Sequence, residues 1–598
     1  MRRIFIVIFC LFCGCSIHED RLRIVRSADR GLLNKVENFR LLDDEGKSHE
    51  LYYYSDMKAV VLIWQGNGCP IVRQSIGEIM KLKEEYEKEG VVFFMVNANP
   101  QDDRFSIQQE AKEYGIGIPI LEDDAQIVTT GLGVTRTGTV IVVDVKKGWK
   151  IVYEGAINDQ FGYESQKPGL GREYVREAIE SIFKETEAKE NTSEVKGCLI
   201  NLEGMNKKVT YVHDVAPILI KKCLECHSAG GVGPWEMKNY EELKGWGPMI
   251  REVVMTKRMP PWNPDPYYGK FKYDIALRPE EVRKIVYWVE RGMERGEGDD
   301  PLKKEPQPDH DKWELGQPDM IFSHPEEHLI SATGVVPYYY VEAEKIVDQD
   351  IWLRASEVKP SNPKVVHHIN ILAIPPGEFF DKKPPFFFNY NNEHLRTDFF
   401  IAGFGTGKRK FEFSENVGKF IPKGSKIIFQ IHYESVGKPE KCKIELGLYI
   451  HKNPPEHQIL IGRAANRFFE IPPLVKNYKL SMSQVFRNDV LVYILVPHMH
   501  YRGKSMKFIA VYPDQKQEIL LSIPHYQFQW ENMYYYDEPK KLPAGTKVIC
   551  EALYDNSPQN LYNPDPFKKV GWGLHKEDEM CVCNVIYTEL KDKKDEKN

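Results

Sequence analysis

The sequence predicts a multidomain chain with an α/β layer first, an all-α segment next and two all-β sandwiches last. Three observations predict this. The 598 residues call for about three to five domains at roughly 100–200 residues each. The apolar pattern changes period along the chain. Strand-like runs alternate with helical spacing over 30–187, helical spacing dominates 207–299, and short alternating strands run from Leu315 to Leu590. Aromatic residues make up 12% of the chain, with 31 Tyr and 29 Phe, which suits β-rich architecture. Hydrophobic residues at 42% and charged residues at 28% give a globular composition. A net charge of -6 leaves no basic footprint, so nucleic acid is not expected as a partner.

The elements follow in order. Residues 1–15, MRRIFIVIFCLFCGC, place two arginines before an apolar run too short to span a bilayer, the pattern of a secretory signal. Its end, Phe12-Cys13-Gly14-Cys15, resembles a bacterial lipoprotein signal, which implies lipidation at Cys15. The protein is then expected to be exported, periplasmic or at the cell surface, touching the membrane through the lipid anchor only. In that compartment disulfides and haem thioethers form. In 30–187, AVVLIW (59–64), VVFFMV (91–96) and Val140–Val143 read as strands, with helices over 71–86 and 173–183, and parallel pairing is expected. Residues 185–206 read as a polar linker, and Asp299–Asp311 as a Pro- and charge-rich one. The β-rich half divides into 315–455 and 456–591, and the last residues are a solvated tail.

Three sets of residues carry chemistry. Gly68-Cys69-Pro70 lies between the first strand and its helix, where a helix N-terminus lowers a thiol's pKa and makes Cys69 a candidate nucleophile. The setting resembles thioredoxin-like redoxins of the peroxiredoxin or thiol-disulfide type. Two features depart from them. Val72 stands where a second cysteine would complete CxxC, and Gly138 replaces the proline expected to face the thiol. A two-cysteine cycle inside this domain is therefore not expected, and Cys198 receives no role.

Cys223-Leu-Glu-Cys226-His227 is the covalent haem signature: two thiols on one turn add to the vinyl groups, and the next imidazole faces the iron. With its flanks it resembles a small bacterial cytochrome c, spanning 207–299. Met259, in Arg258-Met259-Pro260-Pro261, is the chosen sulfur ligand, with Met249 and Met255 as rivals.

The third set is His367-His368, His432, His498-Met499-His500 and Met580. His498 and His500 share one face of a strand, so both can reach one ion, whereas adjacent His367 and His368 need a bulge to do so. In order and interval the set resembles the copper type II, ascorbate-dependent monooxygenases, the family of the peptidylglycine and dopamine enzymes. The resemblance implies two jelly-roll-like sandwiches and two copper ions. One copper is held by His367, His368 and His432 for electron transfer. The other, held by His498, His500 and Met580, activates O2. It further implies insertion of one oxygen atom into a C–H bond, with electrons from a reductant or periplasmic donor, which the haem segment could supply. A disulfide between Cys550 and Cys581 is also implied, with Cys442–Cys583 as another possible pair. The peptide enzyme's carboxylate-binding arginine is Val496 here and its tyrosine after the methionine is Asn584, so the small substrate is a different one. Two other readings are carried: a non-enzymatic copper or electron carrier, and a thiol peroxidase resting on Cys69.

Overall fold

The computed structural model describes residues 35–162, 171–204, 207–378, 399–405, 407–573 and 575–590. The signal and Cys15 lie outside them. The chain forms two compact units, divided between Glu203 and Gly204.

The first unit is built on a five-stranded sheet. Its elements are β1 (Ala59–Gln65), α1 (Pro70–Tyr86), β2 (Val91–Asn97), α2 (Arg104–Tyr114), β3 (Ile120–Glu122), β4 (Val140–Asp144), β5 (Lys150–Gly155) and α3 (Tyr174–Phe183). The strand order is β3-β2-β1-β4-β5. Every residue of β1 is buried, which is why it reads as a continuous apolar run: helices cover both faces of a central strand. In α1, Ile76, Ile79, Leu82 and Tyr86 form one buried stripe, and Pro70 occupies the first turn, where its missing N–H costs nothing. β1 pairs in parallel with β2, as expected, but β4 lies antiparallel to β1. The sheet is therefore mixed: β4 hairpins on to β5 instead of returning through a crossover helix.

The expected linker at 185–206 is part of this unit through Glu203. Ser193 Oγ meets Tyr153 Oη at 2.6 Å, Ile200 N–H donates to Thr135 O at 2.9 Å and Glu203 N–H to Gln126 Oε1 at 2.8 Å. The segment is mostly exposed, as its polar composition expects, but its backbone pairs with the domain at Glu154 and Arg136.

The second unit opens with short helices: α4 (Ala216–Lys222), α5 (Tyr240–Gly245), α6 (Gly247–Met255), α7 (Pro279–Glu290) and α8 (Pro301–Lys304). On α7, Ile285 and Val286 are buried as the spacing predicts, with Tyr287 and Trp288 beside them. Among the described residues, no helix is long and apolar enough to cross a membrane.

Two β-sandwich layers follow. The strands that matter are β6 (Tyr339–Ile346), β7 (Ile351–Pro360), β8 (Val366–Ile374), β9 (Phe400–Gly405), β10 (Lys426–Tyr433) and β11 (Ile444–Ile450), then β12 (Leu460–Ala465), β13 (Tyr478–Val485), β14 (Val490–His498), β15 (Gly503–Val511), β16 (Gln517–Ile523), β17 (Tyr534–Leu542), β18 (Lys547–Tyr554) and β19 (Val582–Glu589). The first sandwich packs sheet β6-β10-β8-β9 against a sheet containing β7 and β11; the second packs β12-β19-β14-β17 against β13-β18-β15-β16.

The second expected linker is also fixed. Asp300 caps α8 and accepts from Tyr211 Oη, and Leu302 is fully buried. Arg409 donates to His310 O and Lys312 O at 2.9 Å each, while its guanidinium meets Glu357 at 2.8 Å in the sandwich interior. Residues 299–315 dock the helical segment on the first sandwich and do not tether it loosely.

Candidate metal centre

The bulge required at the adjacent histidines is present. β8 and β10 run in register through His368↔His432, with a shift between Val366 and His368 that turns His367 to the same side. The ligand nitrogens of His367, His368 and His432 all lie within 4.8 Å of one another. His367 Nδ1 and His368 Nδ1 are 2.9 Å apart, and Tyr338 stacks on His432 at 4.6 Å. His367 Nε2 and His432 Nδ1 are buried without a hydrogen-bond partner. Orphaned nitrogens in so tight a group fit a metal ion, because a buried imidazole otherwise finds a donor or acceptor. Burial pushes His368 down to about 4 and His432 down to about 2, so both present neutral rings, the form that binds metal.

The second set stands at the end of β14. His498 pairs with Val582 of β19, and the rings of His498 and His500 are 5.2 Å apart. Met580 immediately precedes β19; its carbonyl accepts from Tyr554 Oη at 2.8 Å. The buried Glu579 carboxylate accepts from His500 N–H at 2.9 Å and Arg502 N–H at 2.6 Å, locking the HxH turn to the methionine segment. His500 Nδ1 lies 3.2 Å from Asp578 O, which directs Nε2 outward. Two imidazoles and a thioether suit copper, the thioether favouring its reduced state.

His368, His432, His498, His500 and Met580 line one cavity of about 930 Å³. Two residues without any motif to mark them connect the two sets. Phe528 packs on His367 at 5.1 Å and on His500 at 5.4 Å. The Glu531 carboxylate lies 3.4 Å from His498 Nδ1 and 4.0 Å from His368 Nδ1. Burial pushes Glu531 up, but the imidazoles of His368 and His498 outweigh that and hold it below the usual carboxylate range. On the cavity wall Val496, Asn584 and Arg463 stand side by side across β14, β19 and β12, with Arg463 Nε on Asn584 Oδ1 at 2.7 Å. A guanidinium thus reaches the wall two strands away from Val496.

The haem-signature turn follows α4. His227 Nδ1 meets Trp235 O at 3.0 Å, which fixes the tautomer and leaves Nε2 for a metal. Burial pushes Cys223 up to about 12 and Cys226 up to about 11, so neither is a thiolate nucleophile. A Cβ at Gly407 would sit 3.4 Å from Cys226 Sγ, and Lys408 N–H donates to Gly405 O at 2.9 Å. Gly405 in turn pairs with His368. Cys226 therefore lies close to the loop that leads back to the first histidine set. Met259 is half-buried in the loop after α6, whereas Met255 is buried on the helix and Met249 is exposed.

The cysteine pairing departs from expectation. Cys550 and Cys581 are free thiols: Cys581 Sγ contacts Met482 Sδ at 3.7 Å, and the Cys550 thiol engages Cys583. Cys442 lies in the core of the first sandwich, on Asn362 O at 3.7 Å, while Cys583 lies in the second, so this pair is not formed.

In the first unit, Cys69 caps the N-terminus of α1 and is 3% exposed. Thr137 Oγ1 donates to its sulfur at 3.0 Å.

Comparison with known proteins matches residues 33–164 to the Redoxin family model and residues 460–596 to that of the copper type II ascorbate-dependent monooxygenase C-terminal domain. The thiol-disulfide oxidoreductase ResA of Halalkalibacterium halodurans is 32% identical over 136 residues, 22% of this chain and 76% of the relative. ResA of Geobacillus thermodenitrificans is 23% identical over 160 residues, 27% of this chain and 89% of the relative. Among solved structures, a hypothetical protein from Sinorhizobium meliloti 1021 aligns at 24% identity and TM-score 0.26, covering 29% of this chain and 94% of that one.

Proposed function

From the premise that the chain belongs to the redoxin family through residues 33–164 and carries a copper type II ascorbate-dependent monooxygenase C-terminal domain over residues 460–596, we propose that it is an exported copper-dependent monooxygenase with its own electron-donor segment. One observation carries the reading: histidines from both sandwiches and Met580 line a single cavity.

His367, His368 and His432 would hold one copper, and His498, His500 and Met580 the other. When bound, the two ions would supply O2 activation and one-electron storage, so that one oxygen atom enters a substrate C–H bond and the other leaves as water. The chain's own residues do the rest. Glu579 fixes the turn bearing His500. Glu531 places a negative charge between the two sets and orients His498. Phe528 packs between the rings and excludes water. Arg463, seated on Asn584, offers a polar anchor on the wall where Val496 offers none.

Cys223, Cys226, His227 and Met259 would hold a covalent haem, which would pass on electrons from an external donor. Docking of this segment through Arg409 and through Lys272 N–H on Tyr535 O at 2.7 Å supports short, fixed separations. Haem attachment and a lipidated Cys15 are consistent with a location outside the cytoplasm.

The test is oxygen uptake by the copper-loaded, reduced full chain in the presence of cell-extract fractions, with products followed by mass. We expect uptake coupled to a compound gaining one oxygen atom, lost in Met580→Ala. Uptake without a coupled product, unaffected by Met580→Ala, would instead mark a copper carrier.

A further inference from the structure

Residues 196–200 close over the N-terminus of α1. Thr137 N–H donates to Cys198 O at 2.9 Å, Cys198 N–H donates to Thr137 Oγ1 at 2.9 Å, and Arg136 pairs with Leu199. The same Thr137 hydroxyl holds the Cys69 sulfur at 3.0 Å. One threonine thus seats both cysteines, and the Cys198 thiol rests on Cys69 Sγ. The position that Val72 leaves empty in a CxxC turn is filled from another part of the chain.

We propose that Cys69 and Cys198 form a redox-active dithiol–disulfide pair, with Cys198 as the sulfur that exchanges with substrate and Cys69 as its buried partner. The assignment of roles follows from access. Cys198 is exposed and Cys69 is 3% exposed, so an incoming thiolate reaches Cys198 first. Their environments favour the same division. Burial pushes Cys69 up, but hydrogen bonds from Thr137, from the Val72 and Cys198 N–H groups and from the Cys198 thiol outweigh it and lower its pKa. Burial and the neighbouring Cys69 raise that of Cys198. The thiol with the lower pKa is the better leaving group.

The substrate class is a protein or peptide dithiol. Its first thiolate attacks Cys198 Sγ, forming a substrate–Cys198 disulfide as the Cys198–Cys69 bond breaks and Cys69 leaves as thiolate. The second substrate thiolate then attacks the substrate sulfur of that mixed disulfide and releases Cys198. The substrate dithiol loses two electrons and two protons; the protein disulfide becomes a dithiol. The sequence is reversible, so a disulfide substrate reoxidises the pair. This site is independent of the copper reading.

The test is peptide mapping by mass spectrometry of the reduced full chain after exposure to oxidised glutathione. In the wild type we expect a linked Cys69–Cys198 peptide. Cys69→Ser is expected to accumulate a glutathione adduct on Cys198. Cys198→Ser is expected to acquire an adduct on Cys69 at least about tenfold more slowly. Absence of the linked peptide in the wild type, which requires no variant to fold, would overturn the pair. An adduct forming on Cys69 of Cys198→Ser as fast as on Cys198 of Cys69→Ser would overturn the roles.

Discussion

The two sandwiches present their ligands in opposite ways. The first gathers three imidazoles from two neighbouring strands into one cluster, with His368 and His432 buried and Tyr338 stacked over them. The second sets two imidazoles and a thioether at the end of β14, holds them from behind with Glu579, and leaves the His498 side chain 24% exposed to the cavity. Burial does not separate the two sets: each has two buried members, with His367 and His498 partly exposed. What separates them is the donor set and its support, three imidazoles on two paired strands against two imidazoles and a thioether braced by Glu579.

The strongest break in that contrast is His432→Ala. It should remove one copper per chain, leave the other in place and reduce coupled oxygenation to background; metal analysis with oxygen uptake checks it.

Next is the docking that brings the helical segment to the first sandwich. Arg409→Met leaves the fully buried Glu357 unpaired and should cost about 3–5 kcal/mol in unfolding free energy. Copper stoichiometry should stay unchanged, as denaturant titration and metal analysis can establish.

Glu579→Gln acts on the second set alone. It replaces an acceptor of two backbone N–H groups by an amide, and should weaken copper binding at the second site by about 10–100-fold while sparing the first. Competitive chelator titration separates the two.

The last break is in pH and acts on both sets. His432, His368 and His500 are pushed down to about 2, 4 and 3, so between those values and the unfolded value of 6.5 the unfolded chain binds more protons than the folded one. The stability of the copper-free protein should be fully retained above about pH 6.5 and fall as pH drops below it, by roughly 1 kcal/mol per pH unit per histidine. Thermal unfolding from pH 7 to 5, with and without copper, tests this, and copper should flatten the slope.

Much of this was legible in the sequence because metal ligands come in types and spacings that strands enforce. The adjacent pair had to sit on a bulge, and β8 has one; the HxH pair was expected on one strand, but β14 ends at His498 and Glu579 holds His500 beyond it. What was not legible depends on contacts between distant segments. Glu531 and Phe528 sit in QFQWENM, a stretch with no spacing to mark it, and matter only because the loop before β17 reaches both histidine sets. Cys198 lay in what reads as linker, since a segment that pairs its backbone with a loop needs no apolar pattern. The antiparallel β4 was missed because a buried run looks the same in either direction. The expected Cys550–Cys581 bridge gave way to a cluster in which Cys583 is the nearer partner, a choice that sequence spacing does not encode.

The reading calls for two copper centres of unlike ligation in one chain, which copper-edge X-ray absorption on the copper-loaded, reduced full chain, beside Met580→Ala, can resolve. Two coppers per chain are expected, with a histidine-dominated shell and one sulfur scatterer that disappears in the variant. A single copper per chain, or a sulfur signal unchanged by Met580→Ala, would contradict it.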